Sequence, residues 1–346
     1  MTPEPAALLE HEAVRKLTAA LAEVKRDLAS ERERRRHAET VLLETESLHA
    51  LWNETADFHA RKLAKRAAKP SKAAAILCCN DWHAEERIDP RTVNDLNEFD
   101  LDICTKRVDT LWQKALRMLD VASGLSKLDE LVVWLGGDLI NGFIHEELQE
   151  ANFLGPAEAV SFVEGLIHTG LTFLLEHSNL PIRVVCSIGN HGRSTAKTRH
   201  TTGYRSSWEW LAYQHLARLF AKDKRVAFVC EPSYHTYQDV AGRVIRFHHG
   251  DNIKYQGGVG GIAIPVNKAI SQWNKSKRAD WDVFGHWHQP GSCGRWTACN
   301  CLVGFNAHAV AIKADFYPPS QMLLVVSQKY GVVLETQLFV EEPRNA

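Results

Sequence analysis

Residues 182–193 read Ile182-Arg183-Val184-Val185-Cys186-Ser187-Ile188-Gly189-Asn190-His191-Gly192-Arg193. The apolar, β-branched start predicts a strand over 182–188. The run stops at a glycine, and an amide and an imidazole follow at once. Four other stretches are built the same way. Residues 74–79 run into Asn80-Asp81-Trp82-His83, and 131–135 into Gly136-Gly137-Asp138. Residues 244–248 lead to His248-His249-Gly250-Asp251, and 283–285 to Gly285-His286-Trp287-His288. In open α/β sheets, ligands bind beyond the carboxyl ends of the strands. Five such ends therefore bring Asp, Asn and His side chains to one place.

Further expected strands lie at 226–230, 322–327 and 332–338, the last two joined by a turn at Tyr330-Gly331. Helical stretches over 101–122, 157–177 and 206–221 alternate with the strands, which is α/β ordering. The expected organisation is an N-terminal helix over 1–70 and an α/β domain over 71–346. Val14, Leu17, Leu21, Val24 and Leu28 follow a 3-4-3-4 spacing, the a/d seam of a coiled coil. The seam breaks at Glu31 and Arg35 and resumes weakly at Ala38, Leu42 and Trp52. Two readings stand: a short coiled coil that makes a homodimer, or one amphipathic helix docked on its own domain. The basic stretch 61–72 reads as a linker, with Pro70 ending the helix.

Composition sets the outer limits. Of 346 residues, 45% are hydrophobic and 24% charged, which excludes a wholly disordered chain. The formal net charge is −1, so no global field draws the chain to nucleic acid or an anionic membrane. The start carries acids from Glu4 onward and does not read as a secretory signal, and no apolar run has bilayer-spanning length. A cytoplasmic protein is expected. Its 8 cysteines are irregularly spread, and Cys293, Cys299 and Cys301 lack the paired spacing of a zinc clip. Histidine is the outlier, at 17 residues. It is the commonest metal ligand and an acid or base near neutral pH.

Two divalent cations about 4 Å apart need a bridging anion and several neutral or anionic ligands, and the strand ends supply these residue types. The ordered ladder DxH, GD, GNH, HG, GHxH over Asp81–His288 resembles the calcineurin-like metallophosphoesterase superfamily. The Asn190-His191-Gly192-Arg193 form and the Gln256-Gly257-Gly258 run after His-Gly-Asp also resemble a subgroup frequent in bacteriophage genomes. The resemblance implies an α/β/β/α sandwich of two mixed sheets, here with a long N-terminal helix. It implies that Asp81, His83 and His288 hold one metal, that Asn190, His249 and His286 hold a second, and that Asp138 bridges them. A bridging hydroxide then attacks phosphorus in line, with His191 as general acid. His249 is preferred to His248 because it directly precedes Gly250, and the two point to opposite faces. The donors suit Mn²⁺, Fe or Zn²⁺, with Mn²⁺ first.

Two features depart from the family pattern. Gly192 stands where many members have an acid after the GNH histidine, which leaves Glu146, Glu147 and Asp251 as groups to orient His191. The run Asp138-Leu139-Ile140-Asn141-Gly142 lacks the arginine of protein Ser/Thr phosphatases. The segment after His191 carries Arg193, Lys197 and Arg199 as candidate substrate contacts, and Lys268, Lys275, Lys277 and Arg278 form a second basic group. They read either as a nucleic-acid groove or as solvated loops and helix faces. The leading expectation is a dimetal phosphodiesterase acting on DNA. A phosphomonoesterase of nucleotides or small esters, and a non-catalytic metal-binding module, are the alternatives.

Overall fold

A computed structural model describes residues 5–55, 72–254 and 261–342. The chain divides into two compact units, residues 1–68 and residues 69–346. The first contains one helix, α1 (Pro5–Thr55). The expected helix end at Pro70 and most of the glycine run 257–261 lie outside the described residues.

The second unit is built from β1 (Ala73–Cys79), α2 (Leu101–Leu125), β2 (Leu128–Leu135), α3 (Glu146–Ala151), α4 (Pro156–His177), β3 (Ile182–Cys186), α5 (Trp208–Leu219) and β4 (Val226–Cys230). It continues through β5 (Thr236–Val240), β6 (Arg243–Phe247), α6 (Ala263–Trp273), β7 (Trp281–Phe284), β8 (Gly291–Ser292), β9 (Trp296–Ala298), α7 (Ala307–Ile312), β10 (Ser320–Ser327) and β11 (Gly331–Phe339). One sheet has six strands in the order β11-β10-β1-β2-β3-β4, and the other five in the order β5-β6-β7-β9-β8. In the first, β1 to β4 are parallel and β10 and β11 antiparallel, so the sheet is mixed.

Strand alternation explains why β1 is apolar throughout. Ala73, Ala75, Leu77 and Cys79 face a core shared with α2, α4 and α5. Ala74, Ile76 and Cys78 face a second core, where they meet Ile245, Phe247 and Val283 of the other sheet. A third core packs Val266 and Ile270 of α6 on Phe284 and Trp296. Three cores between four layers make an α/β/β/α sandwich, the metallophosphoesterase architecture. Helix α4 is apolar and long enough to cross a membrane by composition, but Val163, Ile167, Leu171 and Leu174 bury one face of it in the first core.

The motif-bearing strands lie where expected. The stretch 182–188 keeps strand pairing only to Cys186, so Ser187 and Ile188 already belong to the loop. The polar strand Thr236–Val240 and the short pair β8 and β9 carry too weak a periodicity to stand out in the sequence. Helix α6 is amphipathic, with Val266 and Ile270 buried, but it is short, follows a glycine run and holds Pro265 in its first turn.

Candidate metal centre

The strand-end loops converge. Asp81, His83 and His288 form one group whose ligand atoms all lie within 4.8 Å of one another, and Asp138, His249 and His286 form a second. The amide of Asn190 joins the second group, with Oδ1 3.1 Å from His249 Nε2. Every residue that the ladder assigns to metal is therefore at one site. Cys293, Cys299 and Cys301 form no such group among the described residues. His248 points the other way: it is buried and stacked on Phe284 at 5.2 Å, outside both groups.

The backbone is bent to present these ligands. Asp81, His83, Asp138, His286 and His288 all have positive φ, between 43° and 69°. Left-handed conformations disfavour side chains other than glycine and concentrate at functional sites. Tight contact between loops holds them there. A Cβ on Gly189 would lie 2.0 Å from Asp138 Oδ1, so only glycine lets the GNH loop close on the GD loop. Asp81 N donates to Gly137 O (3.0 Å), and His83 N to Asp138 O (3.0 Å).

Hydrogen bonds fix which lone pairs face inward. Gly142 O accepts from Asn152 Nδ2 at 2.7 Å, so Asn152 Oδ1 accepts from Asn141 Nδ2 at 2.7 Å. Asn141 Oδ1 must then accept from His83 Nδ1 at 3.0 Å, which leaves a lone pair on His83 Nε2. That nitrogen lies 3.2 Å from His288 Nε2. Likewise His249 Nδ1 donates to Gly136 O at 2.9 Å, so its Nε2 is the nitrogen that faces Asp138 Oδ2 at 3.0 Å. Asp81 Oδ2 accepts from His286 N at 2.9 Å, while Oδ1 is buried without a hydrogen bond, 3.4 Å from His288 Nε2. So many acceptors converging need positive charge between them, which protons on His249 and His288 or bound cations supply. The orphaned Asp81 oxygen and the two inward imidazole nitrogens fit divalent cations.

The protonation energetics divide the histidines. Burial, with His191 and His288 beside it, holds His83 down at about 3. Burial and His249 hold His286 at about 4. Both are neutral, ligand-ready imidazoles near neutral pH. Burial opposes charge on His249 too, but the Asp138 carboxylate outweighs it and raises His249 well above the usual histidine value. Burial opposes ionisation of Asp138 as well, and the surrounding His249 and His191 overcome it.

His191 lines a cavity of about 560 Å³ together with His83, Asp138, Asn190, His286 and His288. Its backbone N–H donates to Asp138 Oδ1 (2.7 Å), and its Nδ1 donates to Asn141 O (2.7 Å). The orienting partner is thus the main chain of Asn141, rather than Glu146, Glu147 or Asp251. Asn141 was not singled out in the sequence for this role; the Asn-Gly turn signal at 141–142 is the one clue to it. Glu85 and Glu209 were also missed. Glu85 accepts from Asn141 N and Gly142 N, both at 2.9 Å. Glu209 accepts from Leu139 N and Gly189 N, both at 2.7 Å, and so ties the GD loop to the GNH loop. Nothing in local sequence links these acids to loops so distant in the chain.

The substrate-contact candidates separate. Arg193 lines the large cavity and a second one of about 100 Å³, and its guanidinium donates to Asn190 O and Thr195 O. Arg199 lines only the smaller cavity, and Lys197 lines neither. Lys268, Lys275, Lys277 and Arg278 line neither cavity, and Lys277 lies over the Tyr237 ring at 4.2 Å.

Three solved structures are similar to this one at low identity. A predicted phosphoesterase from Streptococcus pneumoniae is 12% identical, with a TM-score of 0.29, over 77% of this chain and 97% of that one. Vps29 complexed with zinc from Entamoeba histolytica is 11% identical, with a TM-score of 0.30, over 76% and 99%. A hypothetical protein from Pyrococcus horikoshii is 11% identical, with a TM-score of 0.35, over 79% and 89%. A search of curated proteins finds no match. Residues 74–316, which carry every strand-end motif, match the calcineurin-like phosphoesterase family. That match runs over well more than half of the chain, and the chain belongs to this family: it is a metal-dependent phosphoesterase.

Proposed function

We infer that the enzyme hydrolyses phosphate diesters, with DNA as the leading substrate, using two divalent metal ions of which Mn²⁺ is the first candidate. One observation carries the choice of diester. Asn190 and Arg193 line both the large and the small cavity, so a phosphate beside Asn190 has space for two ester arms. Asp81, His83 and His288 would hold one cation, and Asn190, His249 and His286 the other, with Asp138 between them. Bound cations supply an activated water and neutralise charge on the phosphate.

The protein's own groups do the rest. Asp81 Oδ2 and both fixed histidine tautomers keep the donors aimed inward without rearrangement. His191 Nδ1 keeps its hydrogen on Asn141 O, so the proton given to the leaving oxygen comes from Nε2. His191 lines the large cavity and not the small one, which assigns the large cavity to the leaving arm.

A second reading, a phosphomonoesterase or small-ester enzyme, draws on a different observation. Glu86, Glu147 and Asp315 line the large cavity, and the second basic group lines neither. Purified protein with added Mn²⁺, assayed on a diester, a monoester and single- and double-stranded DNA, tests both. Diester turnover above monoester turnover supports the diesterase, and DNA cleavage the nuclease. Monoester turnover alone refutes it.

A further inference from the structure

The first unit offers a surface that the catalytic reading does not use. In α1, Val14, Leu17, Leu21, Val24 and Leu28 are 51–70% exposed along one stripe, and the remaining faces of the helix mix charged residues with alanines. A long helix with a bare apolar stripe gains little from its own packing and is stabilised by a partner that covers the stripe.

Heptad phase identifies the partner. With Val14, Leu21 and Leu28 at a, and Leu17 and Val24 at d, the frame runs through the polar break at Glu31 (d) and Arg35 (a). It meets Ala38 at d and Leu42 at a without a shift. Leu42 is again exposed, at 62%. One phase across the break makes 14–42 a single seam. The flanking positions complement a second copy of themselves. Asp27 (g) faces Arg32 (e) of the other copy, and Arg34 (g) faces Glu39 (e), which are the g–e′ contacts of a parallel, in-register pair. An antiparallel pair sets g against g and e against e: it brings Asp27 to Arg34 but also Lys25 to Arg32, so it keeps less attraction than the parallel pair. In the parallel pair Glu31 meets Glu31 and Arg35 meets Arg35 of the other copy, two like-charge layers that cost stability. Arg35 is partly neutralised within its own helix by Glu39, at 3.2 Å.

We propose that the exposed stripe of α1 binds a second copy of this chain as a parallel, in-register two-stranded coiled coil over residues 14–42.

Sedimentation equilibrium on the full chain from about 1 to 100 µM tests the proposal. The expected mass is twice the 38.9 kDa of one chain. Leu21→Glu places a charge in the seam and gives a monomer. Arg34→Glu turns two attractions into repulsions and weakens the dimer about tenfold. Adding Glu39→Arg restores the attraction between copies but strips Arg35 of its partner, so it recovers part of that loss. Phosphoesterase turnover, read in parallel, stays at the wild-type level and shows the second unit folded. A wild-type monomer at 100 µM overturns the proposal. A dimer indifferent to Leu21→Glu overturns it by placing the interface elsewhere, and a dimer indifferent to Arg34→Glu overturns the parallel register.

Discussion

Glu209 is the group through which the site can be loosened without touching a proposed ligand. It is 2% exposed, and its two oxygens accept from Leu139 N and Gly189 N. Those donors adjoin Asp138 and precede Asn190 in the chain. Glu209→Ala strands one buried and one half-buried N–H at about 1–3 kcal/mol each, so a loss of about 2–6 kcal/mol follows. At about 2–4 °C per kcal/mol for a domain of this size, Tm falls by about 4–24 °C. Glu209→Gln keeps one acceptor and turns an NH₂ toward the other donor, which costs about 1–3 kcal/mol. Gly192 supplies the control. A Cβ there would lie 2.7 Å from Glu209 Cγ, so Gly192→Ala pushes the carboxylate off its donors. Once Glu209 is truncated, that clash is gone. The double variant Gly192→Ala/Glu209→Ala is therefore less destabilised than the sum of its parts, by about 0.5–3 kcal/mol. Thermal melts and Mn²⁺ titration of the four proteins measure both effects, and Mn²⁺ affinity falls with Tm. A Glu209→Gln protein with wild-type Tm and wild-type Mn²⁺ affinity refutes the tie, and strict additivity refutes the steric link.

Four other outcomes are expected. His191→Ala lowers turnover of esters with poor leaving groups by about 10²–10⁴-fold. It lowers turnover of a nitrophenyl ester far less, because that leaving group needs no proton, and metal content by atomic emission stays unchanged. Asp138→Asn removes the charge between the two groups; metal content falls and turnover drops by about 10³-fold or more. Asn141→Ala frees the His83 tautomer while the main chain still holds His191, so metal affinity at the Asp81 group falls about 10–100-fold. Metal binding releases protons, read by calorimetry in buffers of different ionisation enthalpy. His83 and His286, held at about 3 and about 4, contribute none near pH 7. His249 and His288, both raised well above the usual histidine value, must each lose a proton, so affinity climbs as pH rises through neutrality.

What the sequence disclosed and what it hid follow from the range of each interaction. β1, β2 and β3 were legible because strands buried on both faces form near-continuous apolar runs, as Ala74–Cys79 does throughout and β2 does from Leu131 to Leu135. The ligands were legible because each follows directly on such a strand. Glu209 and Asn141 were not, since their partners lie far off in the chain. The orienting of His191 was sought among carboxylates, yet a carbonyl serves. An amide oxygen carries no side-chain signature, and only the fold decides which one lies 2.7 Å from the ring.

The same contrast bears on why the site is rigid. Five ligand positions at positive φ cost about 1–2 kcal/mol each, so together they approach the whole stability of an ordinary domain. Such loops persist only if other contacts over-determine them. Those contacts are present in number. The β1 loop is bonded to the β2 loop from Asp81 N and His83 N, and Glu85 ties Asn141 and Gly142 to it. Glu209 then binds the GD loop to the GNH loop. Each bond runs between loops, and none touches the point where a metal would sit. The scaffold therefore pre-forms the site, with inward lone pairs left unmatched, and cations bind to a geometry already set.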